Sequence, residues 1–198
     1  MQLIVGTDST WSLRAWMCAK IADIDVSVEV VDLTKPDYRK QLALLSPTGL
    51  VPALKAENLL VHDSLAITEY FNELADGALL PASREQRAYA RSLCCELHAG
   101  FFNLRSLCGF TLEPVAPVDR NTPQLRPEIE RVEAIFSAAE LPFMFDKATA
   151  VDAFYAVLAY RLYSYGIRLT GKAGEYQLSL LNWDLMTEGI EQMRTWKR

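Results

Sequence analysis

Apolar and polar positions switch between two periods along the first part of the chain. Gln2 to Val5 is a short apolar run ending in the turn residues Gly6-Thr7-Asp8, which predicts a strand. Apolar residues then recur at Leu13, Trp16, Met17 and Ile21, the spacing of a helical stripe. Ser27 to Leu33 alternates and is rich in β-branched valine (Val28, Val30, Val31), so it reads as a second strand. Lys35-Pro36-Asp37 opens a short helix carrying Tyr38, Leu42 and Leu45. Val51–Lys55 and Leu59–His62 read as short strands joined through Glu57-Asn58 into a hairpin. A helix from Ser64 to Ala75, with Leu65, Ile67, Tyr70, Phe71 and Leu74 at helical spacing, closes this series.

The second part carries only the helical period. Gly77 to Ser83 is a linker, in which glycine ends one helix and Pro81 blocks its continuation. Arg84 to Leu107 reads as one long helix through Tyr89, Leu93, Leu97, Phe101 and Leu104. Thr111 to Pro127 holds four prolines and no period, and so reads as a long loop. Glu128 to Ala139 is helical, with Ile129, Val132, Ile135 and Phe136 on one side. Thr149-Ala150-Val151-Asp152 is a hydroxyl cap with an acid three residues on, and it opens the nearly all-apolar run Phe154 to Leu162. Tyr176 to Trp196 supplies one or two closing helices. The order β-α-β-α-β-β-α followed by helices alone predicts an α/β thioredoxin-like domain over 1–76, a linker over 77–83 and an all-α helical domain over 84–198.

Composition narrows the function classes. With 51% apolar and 23% charged residues the chain is an ordinary globular sequence. A net charge of -5 and the lack of any Lys/Arg cluster argue against a nucleic-acid partner. No apolar run reaches the length of a membrane span, and Met1 to Gly6 lacks the basic segment of a signal peptide. Cys18, Cys94, Cys95 and Cys108 show no metal-ligand spacing and read as buried free thiols. A cytoplasmic protein without membrane or metal partners is expected.

The candidate chemistry sits at three turns. At the start of the first helix Ser9-Thr10-Trp11-Ser12 places hydroxyls where a dithiol redox protein has Cys-x-x-Cys. Dithiol exchange is thereby excluded. A hydroxyl at a helix start caps that helix, or donates to a thiolate brought by a ligand. Val51-Pro52 lies at a strand start, where proline cannot serve the sheet ladder and the Val51 peptide groups are left to pair with an extended peptide. Asp63-Ser64 stands at a helix N-terminus, which attracts carboxylate. A peptide-binding edge beside an anion-binding helix start suits a small acidic peptide.

Together the Ser-x-x-Ser-x-Arg start, Ser46-Pro47-Thr48-Gly49-Leu50-Val51-Pro52-Ala53-Leu54 and Asp63-Ser64-Leu65-Ala66-Ile67-Thr68-Glu69-Tyr70 resemble the cytosolic glutathione S-transferase superfamily. The segment Ser-Thr-Trp-Ser-Leu-Arg-Ala-Trp is most similar to a bacterial serine-type, zeta-like subgroup. The resemblance implies glutathione as co-substrate, with Ser9 activating its thiol and Ser12 or Thr10 as substitutes. It implies that Val51 pairs with the cysteinyl backbone, that Pro52 is cis, and that Asp63 and Ser64 hold the γ-glutamyl end. Leu50 stands where the family often carries Lys or Gln, Lys40 being the candidate replacement, and Asp63 stands for a usual Glu, so weak glutathione affinity is expected. An electrophile is expected between the domains, against Trp11, His98, Phe102 and Arg105; the competing reading makes Phe101 core and Arg105 a surface or domain-interface charge. Cys108 is a poor candidate nucleophile. The implied activity is conjugation of an electrophile or glutathione-dependent isomerisation, in a homodimer. The competing expectation is a non-catalytic binding or regulatory module on the same fold.

Overall fold

The structure, a computed structural model, describes residues 1–197. The chain divides into two compact units: Met1–Leu80 together with the stretch from Thr187 onward, and Pro81–Met186.

The first unit is built on a four-stranded sheet of order β2-β1-β3-β4, formed by β1 (Gln2–Gly6), β2 (Ser27–Val31), β3 (Ala53–Ala56) and β4 (Leu59–His62). β1 runs parallel to β2, with Gln2 opposite Ser27 and Gly6 opposite Val31. It runs antiparallel to β3, with Ile4 opposite Ala53, and β3 and β4 close the hairpin with Ala53 opposite His62. Leu3, Ile4 and Val5 are wholly buried, because helices cover both faces of a central strand. One face packs Ile4, Val31, Leu42 and Ala53 under α2 (Tyr38–Leu45). On the other, α1 (Thr10–Ile21) lies against α3 (Ser64–Leu74), burying Leu13, Met17, Ile67 and Phe71. The expected β2 ends two residues early, at Val31 rather than Leu33, and the β3 ladder starts at Ala53 rather than Val51. Leu33 keeps its place through its N–H, which donates to Thr7 Oγ1 at 3.0 Å.

In the second unit the expected long helix from Arg84 to Leu107 is two helices, α4 (Arg84–Ala99) and α5 (Phe102–Leu107). Phe101 adopts a left-handed conformation (φ 55°), which ends α4 and re-aims the chain. α6 (Arg126–Ser137), α7 (Ala150–Ser164) and α8 (Gly171–Leu181) complete this unit. The box at α7 forms as expected: Thr149 N–H and Oγ1 donate to Asp152 Oδ2 at 2.8 and 2.9 Å. Asp152 Oδ1 accepts from Met144 N–H and from Tyr176 Oη, both at 2.7 Å. This carboxylate therefore ties together the loop before α7, α7 itself and α8. Burial pushes its pKa up against the pull of these donors.

The last helix, α9 (Asp184–Trp196), differs from the expected division, which places all of 84–198 in one domain. From Thr187 onward it groups with the first unit. The reason is close packing on α1: a Cβ at Gly189 would lie 3.0 Å from Leu13 Cδ1, and Met193 and Trp196 are buried. Ion pairs Lys20–Glu188 (3.3 Å) and Lys197–Asp8 (3.0 Å) flank that contact. All four cysteines are free; Cys95, expected to be buried, is exposed on α4. Among the described residues no helix is long and apolar enough to cross a membrane.

Candidate functional site

Strand direction brings three turns to one end of the sheet. β1 leaves the sheet there into residues 7–9 and α1; β3, antiparallel to it, enters there from Val51-Pro52; β4, antiparallel to β3, leaves there into Asp63 and α3. Two helix N-termini thus start at the same edge, each offering unpaired N–H groups and partial positive charge. A Cβ on Gly6 would lie 2.9 Å from Val51 Cγ2 and 2.6 Å from Leu33 Cδ1. Only glycine lets β1 end so close beneath Val51.

Ser9 is the N-cap of α1, and its Oγ accepts from the Ser12 N–H at 3.2 Å. The cap uses a lone pair of the hydroxyl, so its proton remains to be donated outward, and Ser9 is partly exposed. The two readings of this serine, cap and thiolate donor, are compatible. Ser12 has no exposed surface, and its Oγ accepts from the Gly6 N–H at 3.3 Å, pinning the turn from inside. Thr10 is buried as well. Of the three hydroxyl candidates, Ser9 alone combines a helix-start position with access to solvent.

The Val51–Pro52 peptide is cis, and the Val51 peptide groups lie outside the ladder. Ser46-Pro47-Thr48-Gly49 leads into it as a turn: the Gly49 N–H donates to Ser46 O at 3.0 Å, and Gly49 takes φ 65°, which glycine adopts without steric cost. Alongside runs a groove of about 450 Å³ whose lining includes Leu33, Tyr38, Arg39, Thr48, Leu50 and Val51. The cation in it is Arg39, whose Nε donates to Tyr38 Oη at 3.2 Å. Lys40, proposed from sequence for this place, is exposed and does not line the groove. Adjacent positions on a helix point about 100° apart, so a single step in phase of the short α2 exchanges one cation for the other. Arg39, Tyr38 and Thr48 are the lining residues that sequence reasoning missed; the basic pair Arg39-Lys40 was the available signal.

Asp63 caps α3, its Oδ1 accepting from Leu65 N–H at 2.8 Å and Ala66 N–H at 3.4 Å. Its backbone sits at φ 76°, ψ 131°, a region that costs a non-glycine residue about 1–3 kcal/mol and persists only where surrounding contacts hold it. Ser64, the first residue of α3, is 2% exposed, and its carbonyl accepts from Thr68 Oγ1 at 2.8 Å. Ser9, Val51, Pro52, Asp63 and Ser64 are therefore gathered at one edge of the first unit.

The expected electrophile-binding residues belong to separate units. Trp11 is in the first, with the Arg14 guanidinium 4.4 Å from its ring centroid. His98, Phe102 and Arg105 are in the second. Phe102 is 66% exposed, with the Arg105 guanidinium 5.7 Å from its ring centroid, whereas Phe101 is core. The thiols in these elements are unsuited to nucleophilic work. Cys18 is wholly buried and its pKa is pushed up to about 12, chiefly by burial. Cys108 is buried with its pKa raised for the same reason.

The family model described as "Glutathione S-transferase, N-terminal domain" matches residues 8–74, the segment that holds all three turns. Over that segment the chain is similar to the N-terminal domain of glutathione S-transferases. It is 29% identical over 100 residues to a Caenorhabditis elegans protein described as "Probable maleylacetoacetate isomerase", a match covering 50% of this chain and 47% of that one. The chain thus spans about half the length of the curated isomerase relatives it matches. A stringent starvation protein A homolog from Haemophilus ducreyi is 24% identical over 156 residues, covering 78% of this chain and 72% of that protein. Among solved structures, a glutathione transferase homolog from Burkholderia GL BGR1 with bound glutathione superimposes with a TM-score of 0.74 at 23% identity. That match covers 98% of this chain and 97% of the other, and it supports the two-domain transferase fold.

Proposed function

We propose that the protein is a glutathione-dependent transferase or isomerase in which Ser9 holds the thiolate of bound glutathione. The observation that carries this reading is a match of charges. Glutathione ionised at sulfur carries a thiolate and two terminal carboxylates; one edge of the first unit offers the α1 start at Ser9, the α3 start at Ser64 and the Arg39 groove. The Val51 peptide groups lie between them in sequence and suit the central cysteinyl backbone. Arg39, rather than Lys40, takes the glycyl carboxylate, and it replaces the partner that Leu50 cannot provide. Asp63 lies beside the γ-glutamyl ammonium.

A free thiol titrates near 8.5, and lowering it by about two units requires roughly 2.7 kcal/mol of preference for the anion. One charged hydrogen bond, at about 1.5–3 kcal/mol, together with the α1 dipole at about 0.3–1 kcal/mol, is of that size. The protein then needs no nucleophile of its own: bound thiolate and proximity suffice for attack on an electrophilic carbon. In conjugation a C–S bond forms as the leaving group departs. In isomerisation the sulfur adds to one carbon of a double bond, the adduct rotates, and the thiolate is expelled again. The serine-type zeta-like motif and the isomerase relatives favour the second outcome on an unsaturated acid.

The family expectation of a homodimer belongs to the same reading. Leu59 and Leu60 on the edge strand and Leu74 on α3 are exposed apolar residues that a second copy would cover. Four free thiols suit a reducing compartment, in keeping with a cytoplasmic location. The departures at Leu50 and Asp63 leave a second reading, a binding or regulatory module on the same fold. A thermal-shift titration with glutathione separates the two, because a ligand of the folded state raises its stability. A rise in Tm that saturates in the millimolar range is expected. No shift at the top of that range would favour the binding module.

A further inference from the structure

We propose that Lys197 is a positioning residue for the turn that holds the thiolate: it acts through Asp8, whose carboxylate it neutralises beside the sulfur, and the role rests on the glutathione reading above. Asp8 and Lys197 lie near opposite ends of the sequence, yet both belong to the first unit. Lys197 Nζ stands 3.0 Å from Asp8 Oδ1. The turn they meet at is the one that carries β1 into Ser9. Its backbone is tied down by the Gly6 N–H donating to Ser12 Oγ at 3.3 Å, the Thr7 N–H to Val31 O at 3.1 Å and the Ser9 N–H to Gly6 O at 3.1 Å. Asp8 completes the corner at φ 58°, a left-handed conformation that aspartate and asparagine tolerate better than most residues with a side chain.

Asparagine would serve that geometry without a charge. Aspartate puts a carboxylate one residue before the N-cap, where it competes with a thiolate for the positive end of α1. Consecutive Cα atoms are about 3.8 Å apart, so a sulfur held by Ser9 lies within about a Debye length of that carboxylate. A like charge so close raises a thiol's pKa, against the purpose of the site. Lys197 removes the conflict, and it does so from a fixed base. Trp196, the last residue of α9, is 3% exposed and Met193 is wholly buried, while the Lys197 N–H still donates to Arg194 O at 3.3 Å. The paired side chains themselves are 35% and 40% exposed, so the pair adds little to folding stability and is open to screening by salt. Other charged groups on the elements around this turn are Arg14 on α1, Asp32 after β2, Asp63 and Glu69 at α3, and the Arg194–Glu191 pair on α9. They are common to every protein compared in the test.

The test is a pH titration of the thiolate absorbance of bound glutathione in wild type, Lys197→Met, Asp8→Asn and the variant carrying both changes, at saturating ligand. Asp8→Asn removes the charge and keeps a residue that tolerates the left-handed backbone. At low salt the bound thiol's pKa should rise by about half a unit to one unit in Lys197→Met and fall below wild type in Asp8→Asn. The double variant should return to within about a quarter of a unit of wild type, because both charges leave together. At about 1 M salt the rise in Lys197→Met should shrink to less than half. A merely structural tie would instead lower Tm and move both single variants in the same direction. Shifts of the same sign in the two single variants, or an unchanged value in Lys197→Met, would overturn the role. If glutathione bound to wild type shows no lowered thiol pKa, the Ser9 reading fails and takes this role with it; a lowered value that Lys197→Met leaves in place removes Lys197 alone.

Discussion

Arg39 and Lys40 are neighbours in sequence, yet they occupy different surroundings: Arg39 lines the groove beside Val51 and Lys40 does not. Replacing Arg39 by Ala should weaken glutathione binding about fivefold, while Lys40→Ala stays within about twofold, as read by calorimetry. Equal effects would remove Arg39 from the site. Asp152 bears a different weight. It accepts four hydrogen bonds in a buried setting, so Asp152→Ala should cost about 3–5 kcal/mol in urea unfolding and Tyr176→Phe about 1–2 kcal/mol. At this scale the sequence was readable wherever spacing decides: hydroxyls at 9 and 12, proline at 52 and the box at 149–152 all announce themselves. It was unreadable where helix phase decides, as at Arg39, or where burial does, as at Ser12, whose hydroxyl turns inward to the Gly6 N–H.

Elements followed from periodicity with one informative failure. The apolar spacing runs unbroken from Tyr89 to Leu104, so nothing in it marks the break at Gly100-Phe101. Left-handed backbone is expected of glycine or asparagine, and here a buried phenylalanine adopts it because its side chain gains from the core. The signal overlooked was Gly100 itself, where a Cβ would stand 2.7 Å from Glu96 O. Gly174 in α8 offers a sharper test of this kind. Alanine ordinarily stabilises a helix interior by about 1 kcal/mol over glycine. Here its Cβ would lie 2.4 Å from Leu169 O, so Gly174→Ala should lower Tm. A rise would show that the loop before α8 yields freely.

For the whole molecule, a change of period near residue 77 was legible in the sequence, but the return of the chain from Thr187 to the first unit was not. Helical periodicity says which face of α9 is apolar and nothing about which partner buries it. Met193 is wholly buried in that stretch, and Met193→Ala should cost about 2–5 kcal/mol. Because α9 covers α1, whose first residue follows Ser9, the loss should also weaken glutathione binding. Unchanged affinity in a destabilised variant would separate α9 from the site.

The central claim is that a hydroxyl at the start of α1 keeps a borrowed thiol ionised. Its most direct test is a pH titration of the ultraviolet thiolate band of glutathione bound to wild type and to Ser9→Ala. The variant also loses a helix cap, worth about 1 kcal/mol, so it is measured at saturating ligand and at a temperature where it is folded. The account predicts a bound thiol titrating about two units below its free value of roughly 8.5 in wild type and returning most of the way toward it in Ser9→Ala. The same depressed value in both proteins would contradict it.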